Sequence, residues 1–89
     1  MSKNTENLYF ERIDPQINMA RFYALWTQPT LFGEVSLIRN WGRIGTRGRQ
    51  LVESYSGDAE AKIALTRMAN IKLRRGYRRP SDSEATADH

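Results

Sequence analysis

Four stretches of the chain carry their apolar residues as strands do. Leu8-Tyr9-Phe10-Glu11-Arg12-Ile13 is aromatic-rich and is stopped by Asp14-Pro15, so it reads as a first strand closed by turn chemistry. After Gln16-Ile17-Asn18, the run from Met19 to Thr27 puts Phe22 and Tyr23 on opposite faces and makes a hairpin partner for the first. Gln28-Pro29-Thr30-Leu31-Phe32-Gly33 interrupts the pattern. From Glu34 to Trp41 the chain alternates again, with Val35, Leu37, Arg39 and Trp41 on one side. Gly42 through Gly48 is expected to turn the chain, and Arg49 to Tyr55 to form a fourth strand.

At Asp58 the period changes. Ala61, Ala64, Leu65, Met68 and Ile71 fall within roughly 120° of arc at about 100° per residue, the signature of an amphipathic helix. Ser56, Gly57 or Asp58 can cap its start, Asp58 and Glu60 suit the positive end of the dipole, and Lys72, Arg74 and Arg75 the negative end. Gly76 is a natural C-terminal stop. Lys72 breaks the pattern because it sits inside the apolar arc, either as a snorkelling stem or as a charge aimed at a partner. The expected architecture is α+β: a small antiparallel sheet of about four strands, in hairpin order, with one C-terminal helix across a face.

Length and composition narrow the chemistry. With 89 residues there is room for one small domain, and with no cysteine there is no disulfide, zinc-finger or iron–sulfur site to brace it. The lone His89 cannot build a histidine metal site, so neither metal nor cofactor is expected. Glu6-Asn7-Leu8-Tyr9-Phe10 matches most of a protease site used in expression tags, but Glu11 stands where that site has Gln, and the stretch is taken as native. Residues 1–7 lack a pattern and are expected to be flexible, residues 8–79 to form the domain, and residues 80–89 to be a disordered acidic tail. The formal net charge of +4 conceals a steeper balance, because residues 1–80 hold 14 bases against 7 acids, a net +7.

Eleven of those bases form two clusters. Arg39-Asn40-Trp41-Gly42-Arg43-Ile44-Gly45-Thr46-Arg47-Gly48-Arg49 has four arginines, three glycines, one tryptophan and no acid. Arginine offers a planar fork of donors that fits phosphate, glycines let backbone N–H groups approach an anion, and a tryptophan face stacks on a sugar or base. The plainer reading makes Trp41 a core or rim residue and gives Gly45 and Gly48 to the turn. A nucleotide P-loop is not supported, for lack of Lys-Ser/Thr before a helix. The second cluster, Lys62, Arg67, Lys72, Arg74, Arg75, Arg78 and Arg79, contains no acid between Glu60 and Asp82. If the helix end lies beside the hairpin, the two clusters make one anion-binding patch.

Other classes find little footing. No Ser has a base at a recognisable spacing, so an enzyme and a small-molecule substrate are not expected. The uncharged stretch between Arg21 and Glu34 is broken by Gln28, Pro29 and Gly33, and no segment approaches the roughly 20 apolar residues that span a bilayer. No apolar run of a secretory signal is present, so a cytoplasmic, membrane-free monomer is the expectation.

Trp41-Gly42-Arg43, then Ile44-Gly45, a hairpin turn, Gln50, and later Lys72-x-x-x-Gly76-Tyr77, resembles the WGR domain, named for that tripeptide. Asp14-Pro15 and Asn18-Met19-Ala20-Arg21-Phe22-Tyr23 fit as well, so the likeness covers nearly the whole expected domain. The resemblance implies a compact antiparallel sheet with one helix against it. In poly(ADP-ribose) polymerases that carry this domain it helps to recognise a DNA break, the motif Trp packing against the terminal nucleotide's sugar and the Arg contributing nearby contacts; the resemblance gives Trp41 and Arg43 those roles. It is closest to small bacterial proteins made of little but this domain, and it carries over no ADP-ribose transfer. The expected function is a non-catalytic nucleic-acid-binding module favouring DNA ends or nicks, through Arg39, Trp41, Gly42, Arg43, Arg47, Arg49, Lys72, Arg75 and Tyr77. The alternative is a protein-interaction module docking an acidic partner on the same surface.

Overall fold

The computed structural model describes residues 7–80. The expectations for residues 1–6 and 81–89 lie outside the described residues. Four strands, β1 (Asn7–Asp14), β2 (Met19–Pro29), β3 (Val35–Arg43) and β4 (Arg49–Tyr55), form one antiparallel sheet in the order β1-β2-β3-β4, and α1 (Asp58–Arg74) lies across one face. This is the expected α+β architecture.

Local chemistry explains the joints. Between β1 and β2, Asp14 caps a short 3-10 turn at Pro15–Ile17 by accepting from the Gln16 N–H, and Asn18 leaves it in the left-handed conformation. Pro29, expected to interrupt the chain, instead ends β2 opposite Val35. It is tolerated because, among the described residues, this end of β2 beyond Trp26 pairs with β3 alone. The Trp-Gly-Arg tripeptide is likewise not in a turn: β3 runs on to Arg43, and the Ile44 N–H donates to the Ala20 carbonyl at 2.8 Å.

Gly42 and Gly48 decide how the third and fourth strands meet. A methyl group on Gly42 would stand 2.7 Å from Gly48 Cα; on Gly48, whose φ is +71°, it would stand 2.2 Å from the Trp41 carbonyl oxygen and 2.8 Å from the Phe22 ring. The returning chain therefore lies directly on Gly42 and covers Phe22 on the sheet face that has no helix. Tyr9 covers the same ring from the side, stacked at 6.2 Å between centroids. On the other face, Phe10, Tyr23, Leu25 and Leu37 meet Leu65, Ala69 and Tyr77 in the core.

The helix is rotated from its expected arc. Ala61, Leu65 and Ala69 are its buried residues, whereas Ala64, Met68 and Ile71 are half-buried along one edge. It ends in a Schellman motif: the Tyr77 N–H donates to the Lys72 carbonyl, the Gly76 N–H to the Leu73 carbonyl, and Gly76 takes φ +97°. That turn aims the chain back at β1, where Glu11 and Arg78 exchange two backbone hydrogen bonds of 2.8 Å. The spacing Lys72-x-x-x-Gly76-Tyr77 is thus the stop signal of a helix, with Tyr77 driven into the core behind it. Among the described residues no helix is long and apolar enough to cross a membrane.

Candidate nucleic-acid interface

Strand register assembles the site. On the helix-covered face Tyr23, Trp41 and Arg49 stand in one row across β2, β3 and β4, with Leu25, Arg39 and Leu51 in the next and Arg21 beside Arg43 on the other side. The half-buried edge of α1 faces these rows. Tyr23, Arg39, Trp41, Met68, Ile71, Lys72 and Arg75 line an open cleft of about 320 Å³, near the lower end of the range for ligand-sized clefts, about 300–1,000 Å³. The apolar helix positions that would otherwise have been core, Met68 and Ile71, are part of its wall.

Lys72 is the cation that the helical pattern could not explain. Its Nζ lies 4.3 Å from the centre of the Tyr23 ring and 5.5 Å from that of Tyr77, so its stem is packed and its charge sits over two aromatic faces. Burial first, and then the positive charges of Arg75, Arg21 and Arg39, hold its pKa below the ordinary lysine value. A cation crowded by other cations is a group whose energy improves when an anion arrives.

Arg39 carries the opposing charge relation. Its Nη2 donates to Glu53 Oε2 at 3.3 Å, its side chain is 18% exposed, and its Nε is buried with no hydrogen-bond partner. Burial works against its charge, yet the Tyr23 hydroxyl beside it and Glu53 outweigh that, and its pKa is raised. Burial also pushes the Tyr23 hydroxyl up, against the pull of Arg39. Trp41 is half-buried and tilts at 32° against Tyr23 with ring centres 6.1 Å apart. It is neither a fully buried core residue nor a free flag: it packs on Tyr23 and also walls the cleft.

The remaining expected residues divide. Arg39, Trp41, Lys72 and Arg75 meet at the cleft, and Arg49 stands in the Trp41 row at its margin. Arg43 instead braces the β1–β2 turn, donating to the Asn18 carbonyl at 3.2 Å and to Asn18 Oδ1 at 3.3 Å. Arg47 is exposed on the connecting turn, whose shape Asn40 holds by donating to the Arg47 and Arg49 carbonyls at 3.1 and 2.8 Å. Two expectations need correcting. Gly42 is packed against the Gly48 backbone, so the close approach it permits is taken by this chain; Tyr77 is 7% exposed, its ring edge-on to Tyr23, so it supports Lys72 from below and presents no face to a ligand.

Sequence reasoning missed Tyr23 and Arg21. Tyr23 is the floor of the cleft, and Arg21 is close enough to Lys72 to depress its pKa. The signal for both was available in β2: Arg21 and Tyr23 are two residues apart and share a face. A second hollow of about 390 Å³, lined by Ile17, Asn18, Met19, Arg21 and Arg43, continues this basic end of the sheet past the row of Tyr23 and Trp41.

Comparison with known proteins gives the family. The WGR domain model matches residues 6–84. The chain belongs to the WGR domain family. The WGR domain is a nucleic-acid-binding, non-catalytic domain. A curated relative, "Uncharacterized protein y4dW" of Sinorhizobium fredii, is 47% identical over 75 residues, which are 83% of this chain and 37% of that protein. The chain therefore spans little more than a third of the relative's length. No solved structure matches.

Proposed function

We propose that this WGR domain binds nucleic acid at the cleft between β3 and the end of α1, favouring the ends or nicks of DNA. The observation that carries this reading is the meeting of Arg39, Lys72 and Arg75 around the half-buried Trp41 in one open cleft, drawn from both basic clusters of the sequence. The cations take the phosphate of a terminal nucleotide, and the Trp41 ring packs against its sugar or base. An end or a nick suits the cleft because only there is a sugar face free of its neighbour. Arg21, Arg47 and Arg49 lie beyond the cleft and track the adjoining backbone as salt-sensitive contacts, while Arg43 braces the turn at Asn18.

Fluorescence anisotropy tests this with a 5′-phosphorylated duplex, a hairpin-closed duplex and a single strand across a salt series. The open duplex is expected to bind best, and Trp41→Ala to abolish the preference while leaving weaker, salt-sensitive binding. Equal binding of the open and closed duplexes would overturn the end preference. Phosphate contacts lose orders of magnitude in affinity between about 50 and 200 mM salt. Absence of nucleic-acid binding, with salt-resistant capture of an acidic protein at the same cleft, would instead favour the partner-docking alternative.

A further inference from the structure

The two outer strands of the sheet are treated differently. Along β1 the outer edge is engaged at Glu11 by both backbone groups of Arg78. Along β4 no described residue pairs with the outer edge, and the strand has no proline or lysine, its charges being one Arg49 and one Glu53 of opposite sign. Leu51 and Val52, on opposite faces of β4, are 41% and 52% exposed.

We propose that β4 pairs antiparallel with β4 of a second copy, about a two-fold axis at Leu51, to give a continuous sheet. The charge pattern selects this register. With Leu51 opposite itself, Arg49 of each copy faces Glu53 of the other, both on the face that Leu51 shares, and Gln50 faces Val52. Centring on Val52 would oppose Leu51 to Glu53, and centring on Gln50 would leave Arg49 facing Leu51. Antiparallel pairing places the two-fold perpendicular to the sheet, so both helices and both clefts lie on the same side. If the cleft binds nucleic acid as proposed above, such a dimer holds two sites side by side; the pairing itself does not depend on that reading. A single strand edge is a small contact compared with a standard interface of about 1,600 Å², so the dimer is concentration-dependent.

Light scattering on the eluting full chain, without nucleic acid, is expected to show the mass rising with loading concentration from 10.3 kDa towards twice that value. Because the chain has no cysteine, Leu51→Cys introduces a single reporter at the axis. It is expected to cross-link at least tenfold faster than Ile63→Cys, which lies on the exposed face of the helix. Arg49→Glu, which would face Glu53 of the second copy, is expected to leave a folded monomer by circular dichroism. A constant monomeric mass at every concentration, or equal cross-linking rates for the two cysteines, would overturn the proposal. An unchanged dimer in Arg49→Glu would overturn the register.

Discussion

The two basic clusters look equally suited to anions in the sequence, and the fold uses them in opposite ways. In the hairpin from Arg39 to Arg49 most of the conspicuous residues build the chain's own shape: Gly42 and Gly48 let two backbones touch, Asn40 ties the turn, and Arg43 holds Asn18. At the end of α1, Lys72 has no carboxylate within ion-pair reach among the described residues, Arg75 is exposed, and both line the cleft. Density of arginine in a segment thus measures its charge and not its availability. A guanidinium that finds a backbone carbonyl at hand becomes a brace, whereas a cation carried by a helix end over aromatic rings stays open to a ligand.

The contrast breaks most sharply at the hairpin. Gly48→Ala combines a positive φ with a methyl group 2.2 Å from the Trp41 carbonyl oxygen. It is expected to cost about 3 kcal/mol or more of stability in urea unfolding. Gly45→Ala has φ +97° but open space around it, and is expected to cost about 1 kcal/mol. Equal losses would mean that strain alone, and not the backbone contact, sets the need for glycine.

Trp41→Ala comes next, because the ring serves both regions. Removing its packing on Tyr23 is expected to cost about 2 kcal/mol as well as the preference for open ends. A variant that keeps the preference would place recognition outside the cleft.

Lys72→Met sharpens the comparison from the other side. Replacing a crowded cation by an apolar chain of similar reach is expected to leave the melting temperature unchanged or raised, while nucleic-acid affinity falls roughly tenfold, the worth of one charge-assisted contact. The pH dependence carries a sign. Lys72 binds ligand only when protonated, and its folded pKa lies below the 10.5 of an ordinary lysine. Wild-type affinity therefore falls as pH rises through a value below 10.5, and Lys72→Met lacks that phase. Between the folded pKa and 10.5 the unfolded chain holds the extra proton, so wild-type stability gains from this group as pH rises across that window. Titration of both variants by anisotropy and by unfolding checks both signs.

The smallest effects separate brace from surface charge. Arg43→Ala loses two hydrogen bonds to Asn18 and is expected to cost about 1 kcal/mol of stability. Arg47→Ala is expected to change stability by less than about 0.5 kcal/mol and to reduce the salt slope of binding by about 0.9. A reversed pair of outcomes would exchange their assignments.

Much of the fold was legible in the sequence because its signals are local. Alternation in Val35, Leu37, Arg39 and Trp41, the stop at Asp14-Pro15, and the change of period at Asp58 each arise within a few residues, and each marks an element present in the structure. Strand ends were less legible, since whether Pro29 may stay in β2 depends on where β1 begins across the sheet. The motif tripeptide identified the family but not the task of each member: Gly42 serves a contact with Gly48, and Arg43 a contact with a turn 25 residues earlier.

The candidate site was legible only by halves. Composition alone established a basic domain without thiol or histidine metal chemistry, and helical periodicity marked Lys72 as misplaced in an apolar arc. The meeting of Arg39 and Trp41 with Lys72 and Arg75, the floor that Tyr23 supplies, the burial of Tyr77 and the rotation of α1 that opens Met68 and Ile71 to the cleft were decided by tertiary structure. The physical reason is that a local pattern records which face a side chain takes along its own strand or helix. What that face meets depends on register and on the angle at which distant elements pack.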